Sequence, residues 1–279
     1  MSAAACRPQI LTPTGTSGDF LEFWLQALIA LAIAWAFFSA FWILQKWLDN
    51  AAVVDVGWSL SVALMGVFFC SVGTGLPWRR GLAAILIVVW AVRLSWHLFL
   101  RWRGHPEDPR YTRLREEWGD RADWRMYRFY QMQALGAFLF ALPLAVVAQV
   151  DSALGIADGL AIAIWVLAMV GEWLADDQLR RFKQDPQNAG QVCQQGLWRY
   201  SRHPNYFFEW LHWWTYVLLA WASPWVVLTL LAPLAMWFFL TRVTGVPTTE
   251  AQALRSRGEA YRRYQETTNA FFPWFPKTT

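Results

Sequence analysis

The chain has 279 residues, of which 56% are hydrophobic and 16% charged, with a formal net charge of +4. A soluble domain carries roughly 25% charged residues, so this balance excludes an ordinary soluble enzyme, and the small net charge gives no ground for nucleic-acid binding. Cys6, Cys70 and Cys193 are far apart, which leaves neither a disulfide framework nor a metal-ligand spacing.

A helix needs about 20 apolar residues to cross a bilayer. In chain order the expected spans are 20–44, 53–72, 82–100, 129–150, 157–175, 206–221 and 225–241. The first run is too long for a signal-peptide core and lacks a basic flank, so it is expected to be retained. Residues 1–19 are expected to form a flexible N-terminal segment. No repeat or low-complexity linker interrupts the rest. The expectation is a single integral membrane domain: an all-α bundle of about seven transmembrane helices. Many of the 21 tryptophans stand near the ends of apolar runs, where amphipathic rings favour the headgroup level.

The segment 101–128 carries eight arginines, and further Lys and Arg follow the fifth and seventh spans. Loops on the other side carry none, apart from Arg79 and Arg80. The positive-inside rule then places the basic loops and the C-terminus in the cytoplasm and the N-terminus outside. Arg79 and Arg80 are expected to snorkel from a helix start.

Polar residues gather towards the basic ends of the spans. Asp55 in "VVDVGW" begins the second span. It is a candidate proton donor, since a carboxyl in apolar surroundings tends to keep its proton; an ion pair with an arginine explains it equally well. His97 and His203 are rival donors. Arg93, His97 and Arg101 are spaced i, i+4, i+8 on one helix face. Such a row suits a pyrophosphate, or snorkels to lipid phosphates. "RGHPEDPRY" follows, where Pro106 and Pro109 stop the helix. Its Asp108, Arg110 and Tyr111 are candidates to hold a ribose or an adenine ring; the alternative is a plain helix stop.

"GLWRYSRHPNYFFEW" (196–210) sets Tyr200, Arg202, His203, Asn205, Tyr206 and Glu209 at the threshold of an apolar run. Asn205 and Glu209 share a face, and an amide with a carboxylate matches a carboxamide or sugar hydroxyls. Helix capping accounts for one carboxylate but not for the whole set. Glu250 and "RGEAYRRYQ" lie beyond the last span, with Tyr261 and Tyr264 on one face; these tyrosines either pack on the core or form part of a cofactor lid. "AFFPWFP" (270–276) is expected to anchor at the interface. Neither GxGxxG nor GxxxxGK[ST] occurs, so a cofactor would have to be held between helices.

"DVGW", "RLSWHLFLRWRGHPEDPRYTRLREEWG", "GLWRYSRHPNYFFEW" and "GEAYRRYQETTNAFFPW" resemble, in that order, the bacterial membrane proteins called DUF1295, which are related to the C-terminal domain of steroid 5-alpha-reductases. The resemblance runs from about residue 53 to the end. It implies a multi-pass protein of the bacterial inner membrane, with NADPH in a cytoplasm-facing cavity and a C=C bond of an apolar lipid or steroid-like substrate as the target. It gives no reason to expect an obligate protein partner. Asn205, Tyr206 and Glu209 match the N-[YF]-x-G-E motif that contacts the cofactor, Tyr200 matches the tyrosine before it, and Arg93 matches the basic residue of the third helix. Phe208 replaces the motif glycine. Trp90 stands where the reductases carry a substrate-facing tyrosine, which leaves Asp55 as the polarising acid. "RHPNY" and "RGEAYRRYQ" are also similar to isoprenylcysteine carboxyl methyltransferases, which implies S-adenosylmethionine and a membrane-borne methyl acceptor as the alternative. A non-catalytic lipid-binding protein is the third expectation.

Overall fold

Long apolar runs fold as helices in lipid because the hydrocarbon offers the backbone no hydrogen-bond partner. The computed structural model describes residues 17–277, and among the described residues there is no strand. The segment before residue 17, with Cys6, lies outside the described residues. The main elements are α1 (Ser17–Leu48), α2 (Val53–Val72), α3 (Pro77–Trp102), α4 (Pro109–Trp118), α5 (Ala122–Val147) and α6 (Ile156–Gln184). After a long loop come α7 (Pro204–His212), α8 (Trp214–Leu219), α9 (Val226–Thr229), α10 (Leu231–Phe238), a π-helical turn (Phe239–Val243), α11 (Val246–Arg257) and α12 (Glu259–Thr267).

Among the described residues, six helical stretches are long and apolar enough to cross a bilayer: α1, α2, α3, the α4–α5 run, α6 and the run from α9 to α11. The protein is therefore a multi-pass helical membrane protein. The span expected at 206–221 takes another form. It divides at Trp213, whose N–H bonds Trp210 O at 3.2 Å in a tightened turn. Together α7 and α8 extend about 24 Å at 1.5 Å per residue, less than the roughly 30 Å of hydrocarbon. Among the described residues, six stretches therefore reach the length of a span, against the seven or so expected.

At the centre stands α2, packed against α1, α3 and α5, while α7 and α8 lie along α6. The buried face of α2 is rich in small residues, among them Gly57, Ser59, Ser61 and Ala63, and these let neighbouring helices approach closely. Met65, Phe69, Ile87, Trp90, Phe140 and Leu144 fill the interior. Leu25, Leu28, Val92, Trp96, Leu167 and Val170 are exposed and give the bundle an apolar outer surface suited to lipid.

Arg79 does not snorkel. It is 2% exposed and pairs with Asp158 through Nε (3.1 Å) and Nη2 (2.9 Å), while Nη1 donates to Ser152 O at 3.0 Å. A planar guanidinium meeting a carboxylate through two donors is satisfied inside protein and needs no water. Arg80 likewise donates to the carbonyls of Cys70, Ser71 and Gly73.

Candidate functional site

Three groups of polar side chains occupy the arginine-rich end of the bundle, where α1, α3 and α6 finish and α2, α5 and α7 begin. The first lies between α3, α6 and α7. Glu172 and Asp176 stand one turn apart on α6, and Asn205 and Glu209 one turn apart on α7. Pro204 at the first position of α7, with its φ preset for a helix, brings that pair inward directly after the loop. Arg93 of α3 forms ion pairs with both Glu172 and Asp176. Asn205 Nδ2 donates to Asp176 Oδ1 at 3.2 Å, and His97 Nδ1 lies 3.6 Å from Asp176 Oδ2. Glu209 accepts from Trp90 Nε1 at 2.9 Å and from Trp213 Nε1 at 3.4 Å. His212 stacks on the Trp90 ring at 5.0 Å and 8°, and its Nε2 is 3.1 Å from the Tyr216 hydroxyl.

The loop leading into α7 is fixed to α6. Trp198 Nε1 donates to Ala175 O at 2.9 Å, and Leu197 N donates to Gln178 Oε1 at 2.9 Å. Phe208 packs against Gly171 of α6 so closely that a Cβ at 171 would meet its ring. The residue that replaces the expected motif glycine thus finds its space across the interface.

The second group surrounds Asp55. Tyr111 OH donates to Asp55 Oδ1 at 2.7 Å, and Arg110 Nη2 donates to Oδ2 at 3.1 Å. Asp55 therefore serves as an acceptor paired with an arginine. Asp108 caps α4 by accepting from Arg110 N at 2.9 Å and also accepts from Arg110 Nε at 3.0 Å. Burial works to raise the Asp108 carboxyl, but the Arg110 hydrogen bonds outweigh it and hold the group below its ordinary value. Among the described residues, no hydrogen bond or ion pair joins this group to Arg93 or Glu209. Arg101 lies near both Asp108 and His97.

The third group ties α11 and α12 to the loop before α7. Glu250 accepts from Arg202 Nε (2.7 Å) and Gln265 Nε2 (2.7 Å) and lies 3.2 Å from His203 Nε2. Burial holds the His203 imidazole below its ordinary value, and the Glu250 contact offsets part of that. Tyr206 stacks flat on His203 at 5.2 Å and hydrogen-bonds Thr249 Oγ1 at 3.0 Å. Tyr261 and Tyr264 are buried, and Tyr264 OH donates to Ser201 O at 3.2 Å and to Trp198 O. The aromatic tail docks under α7. Phe271 is buried against Phe207 and Trp210, and Trp274 N donates to Tyr200 O at 2.9 Å, whereas Trp274 and Phe275 are exposed.

Residues 41–268 match the family model described as a protein of unknown function, DUF1295. The chain belongs to the DUF1295 family. The matched region contains all three groups of polar side chains. An uncharacterized protein of Schizosaccharomyces pombe is 26% identical over 294 aligned residues, covering 91% of this chain and 83% of that protein. No solved structure matches.

In this DUF1295 chain, the sequence-derived candidates divide among the groups. Arg93, His97, Asn205 and Glu209 meet in the first; Asp55, Asp108, Arg110 and Tyr111 in the second; Arg202, His203, Tyr206, Glu250, Tyr261 and Tyr264 in the third. Tyr200 faces the tail through its ring contact with Phe275. Glu172, Asp176, Trp90 and Trp213 belong to the first group but were not singled out as site residues from sequence. A signal was available for two of them: acids at i and i+4 near the end of an apolar span, the same spacing as Asn205 and Glu209. Elsewhere, a cavity of about 530 Å³ opens at the opposite end of the bundle, lined by Arg79, Ile156, Leu160, Leu218 and Trp221 among others. None of the three groups borders it.

Proposed function

We propose that this protein is a membrane-embedded, NADPH-dependent reductase of an activated C=C bond in an apolar lipid, with its arginine-rich end in the cytoplasm and its N-terminus outside. The observation that carries the reading is the meeting of Arg93, Glu172, Asp176, Asn205 and Glu209, from three helices, inside an apolar bundle. Ionisable groups placed this way are costly, and they mark functional sites.

Two features support a nicotinamide nucleotide as the ligand. Asn205 Oδ1 is buried and receives no hydrogen bond within the protein, which makes it an acceptor for a carboxamide N–H. Arg101 and Lys183 form no ion pair among the described residues, and Arg257 lies near Lys183 with them. These three cations suit phosphates, whereas Arg93 is already neutralised by two carboxylates. When bound, NADPH would supply the hydride; the protein's share is orientation, charge and exclusion of water. Glu209 and Asn205 would orient the nicotinamide half, and the rings of α3 and α8 would keep the site dry. The topology follows the positive-inside rule. Arg79 and Arg80 are tied to Asp158 and to backbone carbonyls, so they are not free loop cations on the other side.

Thermal unfolding in detergent with NADPH, NADH or S-adenosylmethionine tests the reading. NADPH is expected to raise the midpoint, and Asn205→Ala is expected to abolish that rise, measured against the variant's own unliganded midpoint. Stabilisation by S-adenosylmethionine alone would replace the proposal with a methyltransferase. Stabilisation by none of the three would replace it with a non-catalytic lipid-binding protein.

A further inference from the structure

Arg121 at the cap of α5 and Arg125 and Arg128 within it follow i, i+4, i+7, so they stand in one row along the helix. All three are exposed. Met132 and Leu135 continue the same row into the apolar span and are 68% and 61% exposed. The opposite face of α5 holds Met126, Tyr130, Ala134, Ala137 and Ala141, all buried in the bundle. The arginine row is therefore turned away from the three polar groups and shares its direction with side chains that meet lipid tails. Among the described residues, none of the three arginines forms an ion pair or a side-chain hydrogen bond. The acids nearest to the row in the chain are Asp120 and Asp123. Asp123 is held by Lys46 of α1 at 2.8 Å, and Asp120 pairs with none of the three. At the same level Trp124 is exposed and stacks on Tyr127, which meets Trp42 of α1 edge-on at 5.3 Å, and Trp47 beside Lys46 is exposed too. Exposed indoles at the end of a span mark the boundary between lipid and water.

Three guanidinium groups thus lie within about 10 Å of helix rise, at the headgroup level and without a partner in the protein. A guanidinium offers a phosphate a planar fork of donors, and basic residues beside a membrane surface are drawn to anionic lipid. We propose that Arg121, Arg125 and Arg128 form a docking strip for an anionic phospholipid, whose phosphate sits among the guanidinium groups while an acyl chain runs down the row over Met132 and Leu135. Arg128 and Met132 are one turn apart, about 6 Å along the axis, so headgroup and chain meet the same face of one helix. A zwitterionic lipid offers the same chain but adds an ammonium group that the row repels. An acidic protein would meet the charges alone; the continuity of the row with the lipid-facing side chains selects the lipid. The strip is independent of the reductase reading, since none of its residues belongs to the three polar groups.

Native mass spectrometry of the full chain in detergent, with equimolar phosphatidylglycerol and phosphatidylcholine, tests the proposal. The wild type is expected to retain phosphatidylglycerol several-fold over phosphatidylcholine. The triple variant Arg121→Gln, Arg125→Gln, Arg128→Gln is expected to lose that preference. Its positions are exposed and glutamine is a good helix former, so the fold should be kept, which the unfolding midpoint checks. A control triple variant, Arg103→Gln, Arg113→Gln, Arg255→Gln, removes the same charge from exposed positions off the strip and should keep the preference. Should the strip variant fail to fold, Arg125→Gln and Arg128→Gln made singly carry the test, each lowering the preference. Excess inorganic phosphate should leave the lipid in place, because it has no chain to lie on Met132 and Leu135. An absent preference in the wild type overturns the proposal and leaves the row to an acidic protein. An unchanged preference in the strip variants, an equal loss in the control, or displacement by phosphate overturns it as well.

Discussion

Replacing Gly171 by alanine tests how α7 is positioned. The new Cβ would meet three carbons of the Phe208 ring, all closer than 3.0 Å, so the ring or the helix must move. Phe208 is only 8% exposed and has little free space to move into. Overpacking of this kind costs about 1–3 kcal/mol. Alanine in place of a mid-helix glycine returns up to about 1 kcal/mol of helix propensity. The net expectation is a loss of about 1–2 kcal/mol by these two terms. The same displacement shifts Asn205 and Glu209, so the rise in midpoint with NADPH should shrink as well. The assay is equilibrium unfolding in detergent for wild type, Gly171→Ala, Phe208→Ala and the double variant. Truncating Phe208 alone opens a cavity and costs about 3–5 kcal/mol. In the Gly171→Ala background it should cost less, because the clash is relieved at the same time, with a coupling of about 1–3 kcal/mol. A neutral Gly171→Ala variant, or strictly additive effects, would refute the claim that this contact sets the position of α7.

Arg79→Met should destabilise the protein by about 3–5 kcal/mol, because it leaves the Asp158 carboxylate buried and unpaired; thermal unfolding measures it, and Arg79→Met with Asp158→Leu should recover part of the loss. His203 has a folded-state value held below that of the unfolded chain, so the folded state favours the neutral ring. Its contribution is present above about pH 6.5 and falls as the unfolded chain takes up a proton below that; midpoints measured from pH 7.5 to 5 should fall less steeply in His203→Asn. Arg202→Met removes the residue that bridges Glu250 to the Gln265 carbonyl. It should loosen α11 and α12 and speed protease cleavage between residues 244 and 277, with the transmembrane core intact.

Six of the spans, the polar ends and the shared face of Asn205 and Glu209 were legible in the chain because they are local. Apolar length reports a span, and 3.6-residue periodicity reports which side chains share a face. The break at Trp213 was not legible, since "LHWWTY" has neither proline nor glycine to announce it. Nor were the partners of Asp55 and Arg93. The sequence left open an arginine for Asp55, and the structure supplies Arg110; it set Arg93 in a row with His97 and Arg101, and the structure turns it to Glu172 and Asp176.

By itself, then, the sequence determined that this protein is a helical membrane bundle with its polar residues gathered at one end. Only the tertiary structure decided that those residues separate into three groups, and that one of them is short of positive charge. The reason is that periodicity orients a side chain about its own helix axis, whereas the partner it meets depends on how far neighbouring helices are rotated and shifted against each other. Contacts such as Phe208 with Gly171, 37 positions away, set that rotation, and no local pattern encodes it.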